Sequence, residues 1–226
     1  METVELVKLI KSRRSIRFWD DKPVQEDLLV QAVEIATWAP NGANAQIWSF
    51  YIILDKDKIK AIADAAEAGM RNMGTWPEMS NFKGFPAPPA PPGVKPPPPP
   101  KRSPLGDAPA MILVGAKRGE NPMEQIIKER AKRDERAAKM LQWNGLIDPR
   151  IQSVASAIGY LLLVLHQMGL GATWMTGPIT QAKGDMEKIL NVPSDIDIIA
   201  MIPVGYSTDT PVGIRRPVNE VCQVIK

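Results

Sequence analysis

One cysteine and one histidine in 226 residues remove several chemistries at the outset. Cys222 has no partner for an internal disulfide. His166 alone excludes zinc sites of the Cys/His kind. It falls inside an apolar helical pattern, so no credible Ser-His-Asp or Cys-His arrangement forms around it. Long apolar runs are also missing: the longest, Tyr160 to Leu165, is too short to span a bilayer. The start, METVELVKLIKSRR, has no apolar stretch of signal-peptide length and no small-residue cleavage site. An excess of one charge is absent too. The 28 Lys and Arg against 25 Asp and Glu leave a net charge of +3, which makes no case for a nucleic-acid or polyanion binder. No G-x-x-x-x-G-K-S/T phosphate loop occurs. The stretch GLGATW, Gly169 to Trp174, has tryptophan where the dinucleotide fingerprint needs its third glycine, and it follows a helix instead of a strand. The expectation from these absences is a soluble cytoplasmic protein with no metal site and no nucleic-acid or membrane partner.

Proline, in contrast, is plentiful and unevenly spread. Half of the 22 prolines fall between Pro86 and Pro104. Proline fixes φ and donates no backbone hydrogen bond, so this piece reads as polyproline II or irregular backbone. Residues 69–107 are accordingly read as one excursion from a single domain spanning 1–226, serving as a lid or a partner-docking segment. Elsewhere the apolar periodicity alternates between helix and strand. Val4–Lys11 reads as a short amphipathic helix, and a second helical pattern opens at Pro23 and ends at Pro40. Ser49–Asp55 is a strand, and Lys56–Ala68 a helix with Asp55 as its N-cap. Ala110–Ala116 is a buried strand. NPME, Asn121 to Glu124, is close to a capping box and launches one charged helix to about Trp143, read as a solvated face. Asp148 and Pro149 open a helix to Met168 that is apolar nearly all round, which places it in the centre or in a subunit interface. A short strand and turn at ATWMTGP, a helix over Thr180–Asn191 and a strand over Ile196–Tyr206 follow. The tail RRPVNEVCQVIK would form an edge strand or an arm. Helices interspersed with strands give an α/β or α+β class.

Two stretches carry chemistry. In KSRRSIR four cations, Lys11, Arg13, Arg14 and Arg17, surround Ser15. One reading is a solvated basic face at a helix end, complementing the helix dipole. The other is a phosphate site: in an extended chain Arg13, Ser15 and Arg17 point to one side, and guanidinium forks with a hydroxyl suit phosphate oxygens. APNGANAQIWSF, Ala39 to Phe50, is an ordinary helix-to-strand loop by composition. Yet it sets three amides, Asn41, Asn44 and Gln46, near Trp48, and amides match the mixed donors and acceptors of a heteroaromatic ring edge.

RRSIRFW, APNGANAQIWSF, GLGATWMTGP and the closing PVGY with RRPVNEV, in this order, resemble the nitroreductase family of FMN-dependent oxidoreductases. The resemblance spans almost the whole chain except the proline-rich part. It implies an α+β fold, a three-layer sandwich with a central, mostly antiparallel sheet flanked by helices, in an intertwined homodimer with FMN in the interface. By resemblance Arg13, Ser15 and Arg17 hold the phosphate and ribityl side, with Arg14 counted in the cluster, and Arg215 and Arg216 add to the phosphate clamp. Pro40, Asn41 and Gly42 come from the other subunit. Asn44 bonds the pyrimidine edge, with Gln46 beside it, and Met175, Thr176 and Gly177 line the isoalloxazine. The Asn41-Gly42 and Ile47 positions depart from the family's usual residues without removing a donor.

The implied chemistry is ping-pong. NAD(P)H delivers hydride to the flavin N5, and a small electron-poor acceptor (a nitroaromatic, quinone or activated alkene) takes it away. No catalytic side chain is implied. Trp76, Phe82 and Phe85, just before the proline run, are read as candidate pocket walls or as anchors that merely pin the excursion. Two other readings remain: a specialised member, such as a reductive dehalogenase, ene-reductase or flavin-consuming enzyme, and a non-catalytic FMN-binding module whose proline-rich segment docks a partner.

Overall fold

A computed structural model of the chain describes residues 3–84, 99, 101–119 and 122–226. Its strands β1 (Trp48–Ile53), β2 (Ala110–Lys117), β3 (Gly171–Ala172) and β4 (Ile196–Gly205) form one sheet in the order β1-β2-β4-β3, with every ladder antiparallel. Around it lie helices α1 (Thr3–Ser12), α2 (Glu26–Ala36), α3 (Lys56–Gly74), α4 (Pro122–Ala131), α5 (Glu135–Ile147), α6 (Pro149–Gln167) and α7 (Gly177–Ile189).

The apolar run of β2 explains the layering. Residues 110–116 are all buried, so both faces of the strand need a cover. Side chains alternate across a strand. Ala110, Ile112, Val114 and Ala116 therefore join one core with Leu29 and Ala32 of α2 and Val154, Ile158 and Leu161 of α6. Met111 and Leu113 join the opposite core with Ile59 and Ile62 of α3 and Ile179 and Met186 of α7. The result is the expected α+β sandwich of helix, sheet and helix. The β2–β4 register shifts between Val114 and Gly115, where a Cβ would strike the Ile196 side chain.

Asp55 caps α3 as its sequence position requires, accepting from Asp57 N at 2.9 Å and Lys58 N at 3.2 Å. The helix then runs to Gly74, into the stretch read as an excursion from residue 69. Gly69 is a packing residue and not a breaker: a Cβ there would lie 2.6 Å from the Gln181 carbonyl oxygen on α7. The far end of that stretch is structured as well. Leu105–Asp107 makes a 3-10 turn whose Gly106 faces Ala63 of α3. Most of the proline run and Asn121 of the NPME signal lie outside the described residues.

The charged segment after residue 121 is two helices, not one. Asp134 interrupts it and caps α5, accepting from Arg136 N at 3.0 Å and Ala137 N at 3.2 Å, while Arg130 Nε holds its other oxygen at 2.9 Å. Asp148 takes the left-handed conformation (φ 36°) and caps α6 through Ile151 N at 3.1 Å. The all-round apolar pattern of α6 meets the sheet on one face only. Val154, Ile158, Leu161 and Leu165 are buried, whereas Tyr160 is exposed and Leu162, Leu163 and Val164 are half-buried. Helix α1 buries none of its residues and leaves Val4, Leu6, Val7 and Ile10 exposed. The tail forms no strand among the described residues; it has a single 3-10 turn at Val218–Glu220. An alternating segment needs a neighbouring strand to become one, and the chain supplies none there. No described helix is long and apolar enough to cross a membrane.

Candidate functional site

The basic cluster is pinned along the short strand β3. Ser15 bridges Ala172, and Ile16 N donates to Ala172 O at 3.0 Å. The buried Ile16 side chain fills the space that a Cβ on Gly171 would need. Trp19, also buried, donates its indole N–H to Gly171 O at 3.2 Å, and Asp20 N donates to Tyr206 O at 2.9 Å. The chain from 13 to 20 is thus held at several points.

This segment brings Arg13 close to Arg215 of the tail. Burial, then the fields of Arg215 and Arg14, push the Arg13 guanidinium below its ordinary value. Burial, then Arg102, does the same to Arg17. Neither Arg13, Arg17, Arg102 nor Arg215 has a carboxylate partner among the described residues. Arg215 Nη1 donates to its neighbour Ile214 O at 2.8 Å, and Arg216 is exposed.

Arg14 is turned to another task. Its Nη1 donates to Lys11 O at 2.6 Å and Arg13 O at 2.8 Å, and a Cβ on Gly213 would sit 2.6 Å from its Nε. It braces the tail against the end of α1 and lines a separate cavity of about 290 Å³ with Ser12, His166 and Asp209. Both of these carbonyl bonds use Nη1. His166 is not sealed in an apolar helix either. Its Nε2 lies 2.8 Å from Ser12 Oγ, and burial, with Arg13 and Arg14 nearby, lowers its pKa and keeps it neutral.

The loop after α2 is anchored on α6. Ser156 Oγ donates to Pro40 O at 2.6 Å, and Gly42 N donates to Ser153 Oγ at 3.3 Å. Asn41 Oδ1 accepts from Gln46 N at 3.0 Å, and Gln46 Nε2 donates to Asn44 O at 3.4 Å, so these two amides shape the loop itself. The Asn44 side chain makes no hydrogen bond among the described residues and is exposed. Ala43, Asn44 and Gln46 all take positive φ, at 54°, 51° and 47°. Asparagine tolerates this region; alanine and glutamine do so at a cost of about 1 kcal/mol or more each. Strain of this kind persists where a loop is held in one shape for use.

At the head of α7, Met175 pairs with Met201 through both backbone bonds, 2.8 and 3.0 Å. Thr176 follows at the N-cap without capping through its side chain, and Gly177 is exposed, with nothing within 4 Å of a would-be Cβ. In the first turn of α7 Pro178 has no N–H, and Ile179 N and Thr180 N donate to Thr176 O at 3.0 and 3.2 Å, which leaves the N–H of Gly177 as the one this turn can offer to a ligand. Just before it, Thr173 is fully buried with its Oγ1 unpartnered.

A larger cavity, about 500 Å³, lies between the 42–47 loop, α5 and the start of α6, lined by Gly42, Ile47, Lys117, Asn144, Arg150 and Ser153 among others. Trp76 and Phe82, read as candidate pocket walls, do not line it. Both are exposed, and Phe85 lies outside the described residues. Beside the cavity Asp197 gathers three cations: Arg118 Nε at 2.8 Å, Arg150 Nη1 at 2.9 Å and Lys183 Nζ at 3.1 Å. The Arg118 hydrogen bond first, and those of Arg150 and Lys183 after it, hold the Asp197 carboxyl well below the usual range against the opposing effect of burial. This cluster ties β2, α6, α7 and β4 together. Nothing local in the sequence marks Asp197, Arg102, Ser153 or Ser156, because each acts through a partner far along the chain.

Comparison with known proteins agrees with this architecture. The model of the nitroreductase family matches residues 10–206. An iodotyrosine deiodinase of Thermotoga neapolitana is 30% identical over 223 residues, covering 96% of this chain and 95% of that protein. A BluB-like flavoprotein from Clostridium difficile 630 superposes with a TM-score of 0.73 at 22% identity, over 100% of both chains. An iodotyrosine deiodinase bound to FMN and 3-iodo-L-tyrosine superposes with a TM-score of 0.62 at 24% identity, over 98% of this chain and 97% of that one. The chain belongs to the nitroreductase family.

Proposed function

We propose that the protein is an FMN-dependent oxidoreductase, one flavin-binding domain per chain, working as a homodimer. The observation that carries this reading is the set of unneutralised guanidinium groups, Arg13, Arg17 and Arg215, beside Ser15 on a segment fixed to β3. Such a donor set fits a phosphate dianion, and the exposed head of α7 leaves room for a planar ring against Gly177. Arg13, Arg215 and Ser15 would hold the phosphate, and Arg17 the chain that follows it. Thr176 and Gly177 would present backbone N–H groups to the ring, and Asn44 of the second copy an amide to its polar edge. Arg216 is a weaker candidate for the same phosphate. Bound FMN would supply two-electron redox chemistry between NAD(P)H and a small electron-poor acceptor.

The homodimer rests on apolar surface that one chain cannot cover. Trp38 is 81% exposed and Leu146 79%, and Val4, Leu6, Val7 and Ile10 of α1 are exposed. Surfaces of this extent mark association. The same faces would bring the strained 42–46 loop of one copy to the arginines of the other.

A direct test is anaerobic spectroscopy of the purified, FMN-loaded protein. NADH or NADPH should bleach the flavin, and a nitroaromatic should restore its colour. A flavin that neither nicotinamide reduces would instead support a non-catalytic FMN module. The likeness to a deiodinase over nearly the whole chain favours one second reading, reductive removal of halogen from a phenol. Release of iodide from 3-iodotyrosine with chemically reduced protein, without turnover of nitroaromatics, would select it.

A further inference from the structure

Arg17 has Arg102 as its neighbouring cation where Arg13 has Arg215. Arg102 is the charge that acts on Arg17, whereas Arg215 and Arg14 act on Arg13. Backbone contacts enforce this placement. Ser103 N donates to Arg17 O at 2.8 Å, and Trp19 N donates to Ser103 Oγ at 3.4 Å. Trp19 is itself locked to Gly171 O and buried with Ile16 and Ala108. Lys101 Nζ lies 5.4 Å from the ring centroid of Phe18, the residue that follows Arg17. None of the three meets a carboxylate among the described residues.

Elsewhere this chain neutralises a convergence of cations: Arg118, Arg150 and Lys183 share Asp197. Around Arg17 it does not. Like charges held side by side, one of them half-buried, are unfavourable until an anion arrives. The cofactor's phosphate already has Arg13, Arg215 and Ser15 in the reading above. Arg102 is exposed while Arg17 is half-buried, so the pair opens to solvent, where an arriving molecule meets it. Guanidinium forks suit a planar or tetrahedral oxyanion.

We propose that Arg102, acting with Arg17, is a specificity-determining subsite for an oxyanion, carboxylate or phosphate, carried by a substrate that approaches the bound flavin. The proposal rests on the flavin reading above. Two matched pairs of probes test it on the FMN-loaded protein. Dissociation constants for 4-nitrobenzoate and 4-nitrobenzamide are read from perturbation of the oxidised flavin spectrum, and KM values are compared for NADPH and NADH. Arg102→Gln should weaken 4-nitrobenzoate, or NADPH, about tenfold while its uncharged twin stays within about twofold, the size expected of one exposed charge-assisted hydrogen bond. The arm that responds names the source of the anion, and Arg102→Lys should recover most of the loss. Equal effects on both twins, or none, would overturn the proposal. So would a variant that loses FMN far more than riboflavin, since Arg102 would then belong to the cofactor's phosphate. A wild-type chain that takes up no FMN would instead overturn the flavin reading, and this subsite with it.

Discussion

Gly177 and Gly171 separate folding from cofactor binding with one methyl group each. At Gly177 a Cβ meets no atom of the protein within 4 Å, and φ is not positive. Alanine there should fold at least as well, because alanine exceeds glycine in a helix by up to about 1 kcal/mol, less in the first turn. If a flavin ring rests on that backbone, the same methyl group blocks the approach and at least one N–H contact is lost. A lost hydrogen bond of about 1–3 kcal/mol corresponds to roughly ten- to a hundred-fold in affinity. At Gly171 the added Cβ lies 2.7 Å from Ile16 Cγ2 and 2.9 Å from its Cβ. Ile16 has nowhere to move inside its buried cluster, so Gly171→Ala should cost about 1–3 kcal/mol of stability through overpacking. Urea unfolding of the apoprotein measures the first quantity and fluorescence titration with FMN the second. The reasoning fails if Gly177→Ala binds FMN as tightly as the parent, or if Gly171→Ala unfolds at the parent's urea midpoint.

Asp197→Asn should destabilise the chain by about 2 kcal/mol, the discounted cost of leaving three partly exposed cations without their shared anion. Its folded pKa is depressed, so the stabilisation it provides is complete above the ordinary carboxylate range and is lost as pH falls through the folded value. Acid titrations of unfolding should therefore show a shallower decline below about pH 4 in Asp197→Asn than in the parent. The paired change Ser153→Ala with Ser156→Ala frees the 40–42 loop from α6 and should weaken FMN retention about tenfold, with about 1–3 kcal/mol lost in urea for the two hydrogen bonds removed. Parent-like retention in that variant would mean that the loop needs no anchor to serve the site.

Local chemistry made the layers legible. The β2 run, the Asp55 and Asp148 caps and the apolar spacing of α2 and α6 each depend on neighbours in sequence, and each stands where the pattern puts it. The misreadings share a cause. Gly69 reads as a helix end because glycine usually is one, yet it permits α3 to touch the α7 backbone. Asp134 cuts a charged segment in two through a cap that periodicity alone does not reveal. Arg14 is indistinguishable from Arg13 and Arg17 in the string of residues. Only the fold shows that its Nη1 meets the carbonyls of residues 11 and 13 and that Gly213 packs against its guanidinium. Arg102 is 85 positions from Arg17 and becomes its neighbour through Ser103, a contact between segments with no shared pattern.

Titration of apoprotein with FMN and with riboflavin, at low and high salt, tests the central claim most directly. Convergence of arginines on a phosphate requires one FMN per chain, an affinity roughly a hundred-fold above that of riboflavin, and a preference that shrinks as salt screens the charges. Equal affinities for the two flavins, unmoved by salt, would contradict it.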